Sequence, residues 1–262
     1  MLHVGSVPYL VGRPLDLGLG DEAGIDLVHE VPAKLVAGLR DGSLDVALVS
    51  SIELFRFPGY RFLDGLGVAG HSEVSSVQVF LRRPIDSVQR LALDPSSRTA
   101  QALTRTLWPN PSTQFLELEP GEDPRDASAD AWLRIGDPAL RDLEREPDRP
   151  RWNPSAAWRR ATELPFIFAP WIVRSGVRIE PHLDAFRRAA EAGAGALEAL
   201  AHGAAAGEPA REAFLLRYLR DECTFRPGPD MQASLFEFRD RASIHGLCDA
   251  DARPAPVPIP PI

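Results

Sequence analysis

An apolar strand led in by an aspartate and closed by a small polar turn occurs once in each half of this chain, and that repetition constrains the fold more than any other feature. Leu44-Asp45-Val46-Ala47-Leu48-Val49-Ser50-Ser51 runs into Ile52-Glu53-Leu54, while Ala129-Asp130-Ala131-Trp132-Leu133-Arg134-Ile135-Gly136-Asp137 runs into Pro138-Ala139-Leu140. A second pair also matches. His3-Val4-Gly5 with a polar turn from Ser6 to Tyr9, and Leu91-Ala92-Leu93 with the turn Asp94-Pro95-Ser96-Ser97, each lead into a helical stretch. The chain therefore reads as two similar α/β lobes. Ligands of open α/β sheets sit beyond the carboxyl ends of the strands, so two lobes facing each other place these turns around one cleft.

Composition limits what that cleft can hold. A chain of 262 residues, 44% of them apolar, can bury a sizeable core as one large or two small domains. A formal charge of -8 argues against a general nucleic-acid binder, which needs a basic face. Lys34 is the only lysine. An anionic ligand therefore has to be held by arginine, hydroxyls or helix N-termini. No apolar run approaches the roughly 18 residues of a membrane span, and no basic region followed by an apolar stretch opens the chain. A cytoplasmic protein without a membrane partner is expected. Cys223 and Cys248 stand far apart and read as free structural thiols.

Residues 1–84 are expected to begin lobe 1. They hold strands at 2–5, within 24–31, at 45–49, 60–66 and 76–81, a helix near Arg13-Pro14, and a helix over 32–41 whose Leu35, Val36 and Leu39 share one face before Gly42. Ser50-Ser51 opens a short helix through Phe55. Arg82-Arg83-Pro84 is the expected crossing into lobe 2, residues 85–168, with strands at 91–93, 115–118 and 131–135, helices over 97–107 and 138–143, and an exposed loop over 144–154. Pro165 to Val173 reads as a buried strand that returns the chain, and residues 169–252 complete lobe 1. Three helices, marked by Leu183 to Leu200, Ala210 to Glu222 and Met231 to Gly246, are expected to pack back on that lobe. The tail 253–262 holds five prolines and is expected to be extended or disordered.

Most catalytic signatures fail. Gly65 to Gly70 matches a dinucleotide-binding pattern but no helix opens there, and Gly70-His71-Ser72-Glu73-Val74 lacks the last glycine of a serine-nucleophile elbow. The histidines are scattered, so no metal site is expected. Small polar turns remain. Hydroxyls at Ser50, Ser51, Ser75, Ser76, Ser96, Ser97 and Thr99 can cap helices or, with free backbone N–H groups, hold a carboxylate. Their repetition at strand ends favours ligand binding. Asp137 is either a cleft residue or the cap of the helix at Pro138, and Asp45 and Asp130 read as turn-fixing.

Five phrases in order make the chain resemble a known family. Ser6-Val7-Pro8-Tyr9-Leu10 with Arg13-Pro14-Leu15, Leu44 to Glu53, Ala92 to Thr99, Ile135 to Leu140, and Leu164 to Trp171 resemble the chorismate dehydratases of menaquinone biosynthesis. The resemblance implies a two-lobed fold like the class II periplasmic solute-binding proteins. It further implies a cofactor-free hydro-lyase of the futalosine route that converts chorismate to 3-[(1-carboxyvinyl)oxy]benzoate and water. The implied partner is this small dicarboxylate, the chain acting as monomer or homodimer. By the same resemblance Ser76 is the catalytic hydroxyl. Ser6, Tyr9, Val11, Ser50, Ser51 and Ser75 from lobe 1, and Ser96, Ser97, Arg98, Thr99 and Asp137 from lobe 2, form the expected substrate-contacting set. One position departs: the family phrase continues Tyr-Leu-Asn, with the asparagine facing substrate, and here Val11 follows Leu10, without an amide to donate or accept. Two other readings of the same fold are a cytoplasmic carboxylate-binding protein or sensor, and the sister enzyme that forms 1,4-dihydroxy-6-naphthoate.

Overall fold

A computed structural model describes residues 1–259. Its strands are β1 (Leu2–Ser6), β2 (Ile25–His29), β3 (Val46–Leu48), β4 (Arg61–Gly70), β5 (Val77–Leu81), β6 (Arg90–Ala92), β7 (Gln114–Leu116), β8 (Ala131–Ile135), β9 (Arg151–Trp152), β10 (Phe166–Val173), β11 (Cys223–Thr224) and β12 (Ala255–Pro258). The helices are α1 (Arg13–Asp16), α2 (Pro32–Asp41), α3 (Arg98–Leu107), α4 (Gly136–Arg145), α5 (Pro154–Thr162), α6 (Leu183–Gly195), α7 (Leu197–Ala204), α8 (Pro209–Arg217) and α9 (Asp230–Ile244). Among the described residues no helix is long and apolar enough to cross a membrane.

The strands form two mixed sheets. The first runs β11-β4-β10-β3-β1-β2 with β12 also on β4, and the second runs β7-β6-β8-β5-β9. Each contains the same unit. In the first sheet β2, β1 and β3 are parallel and β10 joins antiparallel; in the second β7, β6 and β8 are parallel and β5 joins antiparallel. The leading aspartates do equivalent work in the two units. Asp45 accepts from the His3 backbone N–H at 3.0 Å and tethers β3 to β1. Asp130 accepts from the Gln89 and Arg90 N–H groups at 3.0 and 3.1 Å and tethers β8 to β6.

Local chemistry sets the supporting helices. Pro32 starts α2, Leu35, Val36 and Leu39 are buried on one face, and Gly42 at φ +85° closes it in the left-handed region that suits glycine. Helix α6 presses so closely on α1 that a Cβ on Gly193 would stand 2.0 Å from the Pro14 carbonyl oxygen. Only glycine allows that approach. The main core joins the first sheet to the C-terminal helices through Phe62, Phe166, Trp171, Phe186, Tyr218 and Phe238, all essentially inaccessible. Each such side chain contributes roughly 1.5–3 kcal/mol of transfer free energy. The second sheet has its own smaller core around Val79, Leu91, Leu93 and Leu133.

The structure redraws several expected boundaries. Strand β5 pairs with β8 and β9, and Val77, Val79 and Leu81 pack in the second core, so the chain changes sheets over 71–76 rather than at Arg82-Arg83-Pro84. It returns before β10, all of which pairs in the first sheet, rather than at 168. Asn153 ties these crossings together. Its amide donates to the Val74 and Val77 carbonyls at 3.0 and 3.1 Å while its oxygen caps α5 by accepting from the Ala156 N–H at 2.8 Å. Residues 144–154, expected as a loop, contain β9 and the start of α5, and the expected helix through Leu200 breaks at Ala196. The tail is also corrected over 255–258, which pairs as β12 along β4 with Val257 buried. Residues 260–262 of that tail lie outside the described residues.

Candidate active site

A small cavity of about 80 Å3 lies where the two sheets face each other. Lobe 1 supplies Tyr9 and Val11 from the turn after β1, Ser50 from the turn after β3, and Phe168 from β10. The crossing supplies Val74, Ser76 and Val77, and lobe 2 supplies Ser96, Ser97, Ile135 and Gly136. The lining contains no arginine, lysine or histidine. Pockets that enclose a small organic ligand usually measure about 300–1,000 Å3, so the lobes as they stand are closed on each other and a ligand of that size requires them to part.

Tyr9 bridges the two lobes. Its ring lies against Gly136, where a Cβ would come within 3.4 Å of it and where φ is +65°. It packs against the cores of both lobes, as does Phe168. Burial raises the Tyr9 phenol above its ordinary pKa, with the neighbouring Asp94 and Asp137 adding to the rise and a hydrogen bond with Ser96 opposing it. Asp94 is itself pushed up by burial, although it accepts from the Ser96 N–H at 2.9 Å and the Ile135 N–H at 3.0 Å. Asp137 is raised by burial and accepts from the Leu10 N–H across the cleft at 3.3 Å.

Ser76 lines the cavity and is nearly inaccessible to water. Its Oγ accepts a hydrogen bond from the Tyr218 hydroxyl at 2.8 Å, and its carbonyl accepts from the Gly136 N–H at 2.8 Å. Tyr218 stands in a π-helical turn, Tyr218–Glu222, that follows α8. Burial drives its phenol well above the ordinary value. The adjoining Cys223 thiol is pushed by burial up to about 12. Both groups therefore remain protonated at neutral pH.

A sequence profile for menaquinone biosynthesis matches residues 2–243. The chain belongs to that family. Among its relatives is a chorismate dehydratase of Thermus thermophilus, 29% identical over 191 residues that span 64% of this chain and 70% of that protein. A chorismate dehydratase of Campylobacter jejuni is 30% identical over 172 residues, 63% of this chain and 64% of that protein. Solved structures agree on the fold. A protein from Archaeoglobus fulgidus matches with a TM-score of 0.72 at 17% identity, covering 94% of this chain and 98% of that one. The alkanesulfonate-binding protein SsuA of Xanthomonas axonopodis, bound to MOPS, matches with a TM-score of 0.66 at 16% identity, covering 98% of both chains. The architecture is thus that of the periplasmic-binding-protein-like proteins.

In this family member the expected contact residues divide into two groups. Tyr9, Val11, Ser50, Ser76, Ser96 and Ser97 line the cavity, although the Ser97 Oγ also caps α3 by accepting from the Ala100 N–H at 3.2 Å. The others are engaged elsewhere. Thr99 Oγ1 accepts from the Ile52 N–H at 3.1 Å and lies 3.3 Å from Ser51 Oγ, while the Thr99 N–H donates to Ser50 Oγ at 3.4 Å, so these residues stitch lobe to lobe. Arg98 reaches buried Glu53 at 3.8 Å. The Ser75 N–H donates to Glu222 at 2.7 Å and Ser75 borders a separate outer groove with Arg151 and Arg211. Ser6 is fully buried and its hydroxyl has no partner among the described residues. Tyr218 is the neighbour of Ser76 that sequence reasoning missed, because an aromatic residue at helical spacing carries the same pattern as core packing. Among the described residues no group of three or more His, Cys, Asp or Glu side chains is placed to hold a metal ion.

Proposed function

We propose that this chain is a chorismate dehydratase that works without a resident cofactor, supplies the futalosine route and acts in the cytoplasm. The observation that carries the reading is the family match together with a cleft in which Ser76, Ser50, Ser96 and Tyr9 hydroxyls converge beside the N-terminus of α3. Such a lining suits a substrate with two carboxylates, since hydroxyls and helix N–H groups hold anions without a lysine.

The chemistry asks little driving force of the protein. A base takes the ring hydrogen from the carbon bearing the enolpyruvyl ether, the C–H electron pair becomes a ring double bond, and the neighbouring C–O bond breaks. The enolpyruvyl carboxylate of the substrate is the base in this reading. It returns the proton to the departing hydroxyl, which leaves as water, and the ring becomes aromatic. The protein holds the two carboxylates, aligns the reacting atoms and stabilises charge on the oxygens through preorganised donors. Ser76 is the cleft donor held from behind by a buried hydroxyl. Val11 takes the position of the family asparagine, so Ser96, Tyr9 and backbone N–H groups carry the polar contacts on that side.

The test is incubation of purified protein with chorismate in the presence of a chelator, followed by absorbance and mass of the product. Appearance of 3-[(1-carboxyvinyl)oxy]benzoate is the expected result. Saturable binding with chorismate recovered unchanged would instead support a binding protein on the same fold.

A further inference from the structure

We propose that Tyr218 is a positioning residue that makes the Ser76 hydroxyl a one-way donor toward the cleft. The inference rests on the reading of Ser76 as the catalytic hydroxyl. A serine hydroxyl carries one proton and two lone pairs. The Tyr218 hydroxyl occupies a lone pair of Ser76 Oγ from a fully buried position, at 2.8 Å. Among the described residues Ser76 makes no other side-chain hydrogen bond, and it lines the cavity. Its own proton is left to face whatever enters.

Behind Tyr218 stands the Cys223 thiol, buried and in contact with the phenol. A protonated thiol is a poor acceptor, so Cys223 does not draw the Tyr218 proton away from Ser76. Two further contacts hold the Tyr218–Ser76 pair in place. Glu222, at the end of the same π turn, accepts from the Ser75 N–H at 2.7 Å, and β11 pairs Cys223 and Thr224 with Gly70 and Ala69 of β4. The widened turn after α8 thereby grips the Ser75–Ser76 crossing at two points. A π turn shifts the side chains it carries off the regular helical face, and here that shift brings Tyr218 to Ser76.

A fixed donor selects its partner. An oxygen acceptor such as a carboxylate or a departing hydroxyl satisfies Ser76, whereas an N–H facing it leaves two donors opposed.

The test combines two measurements. Tyrosine labelled with 13C at the ring carbon bearing the hydroxyl gives three signals, from Tyr9, Tyr60 and Tyr218. Ser76→Ala should shift the Tyr218 signal in the ligand-free protein. In kinetics, Tyr218→Phe should lower kcat about tenfold with KM little changed, but less than about twofold in the Ser76→Ala background, because the two residues act as one unit. An equal loss in both backgrounds, or a fall in melting temperature with kcat intact, overturns the proposal and leaves the dehydratase reading standing. A wild-type protein that does not convert chorismate removes the dehydratase reading. In that case, or should Tyr218→Phe not fold, the 13C shift alone decides: a Tyr218 signal unmoved by Ser76→Ala overturns the coupling, and a shifted one upholds it.

Discussion

The turn after β3 and the turn after β8 hold equivalent places in the two sheets, yet they present different chemistry to the cleft. The first ends in Ser50 and Ser51, whose hydroxyls are engaged by Thr99 of the opposite lobe. The second ends in Gly136 and Asp137, which seat the Tyr9 ring and accept the Leu10 N–H. The shared parallel unit and its tethering aspartates preserve a framework, and the turns placed on it line the cleft. The lobes also differ in mass. The first adds the C-terminal helices and a continuous core, whereas the second closes its outer face with a small cluster of Phe80, Ala92, Trp132 and Leu143 under arginines.

That asymmetry yields its largest expected effect in stability. Trp171→Ala empties a fully buried site of the main core and should cost about 3–5 kcal/mol, while Trp132→Ala, in a small outer cluster beneath the Arg82 and Arg149 guanidiniums, should fall near the lower end of that range. Urea unfolding of both variants measures the difference; equal losses would mean that the second lobe is packed as tightly as the first.

Next come the contacts between lobes. Thr99→Ala removes the acceptor for the Ile52 N–H and should cost about 1–2 kcal/mol. It should also raise the radius of gyration seen by small-angle scattering as the lobes part. Ser97→Ala, one turn-position away, removes only a local cap and should cost about 1 kcal/mol without that expansion. Expansion in both variants would contradict the separation of stitch from cap.

Val11→Asn probes the lobe 1 rim. Val11 is half-buried and lines the cavity, so an amide there reaches water or substrate. Melting temperature should change little, and turnover should hold or rise. A loss of about 1–3 kcal/mol would mark the amide as buried without partners.

The smallest effect is in pH. Burial raises the pKa of Asp137, so the folded protein holds this proton to higher pH than the unfolded chain does. Between the unfolded and the raised folded pKa, stability therefore falls as pH rises. Asp137→Asn keeps an oxygen for the Leu10 N–H but removes the buried charge. It should be at least as stable as wild type at neutral pH, by about 2 °C in melting temperature, and the gap should close as pH falls and Asp137 is protonated. A gap that widens in acid would reverse the sign assigned to this carboxylate.

The framework was legible in the sequence because strand, turn and helix start are local. The two Asp-led phrases, helix α2 with its closing Gly42, and the cavity-lining Ser50, Ser76, Ser96 and Ser97 all follow from spacing. Sheet membership did not follow. The alternation of Val77, Val79 and Leu81 is the same whether β5 joins lobe 1 or pairs with Ala131–Ile135 some fifty residues later. The tail misled because proline suggests disorder, whereas an edge strand such as β12 tolerates the missing donors. Ser51, Thr99 and Arg98 lie at the expected turns, but their engagement across the lobes depends on closure, which no local pattern encodes. Tyr218 was hidden for the related reason that its partner lies 142 positions away.

The most direct test of the site is to mix wild type and Ser76→Ala with chorismate and record product formation and melting temperature on the same preparations. Removing a preorganised donor from a closed cleft should lower kcat about 100-fold, while the buried Tyr218 hydroxyl left without its acceptor should cost about 1–3 kcal/mol and a few degrees of melting temperature. Unchanged turnover in a folded Ser76→Ala protein would contradict the account and remove this hydroxyl from the chemistry of the cleft.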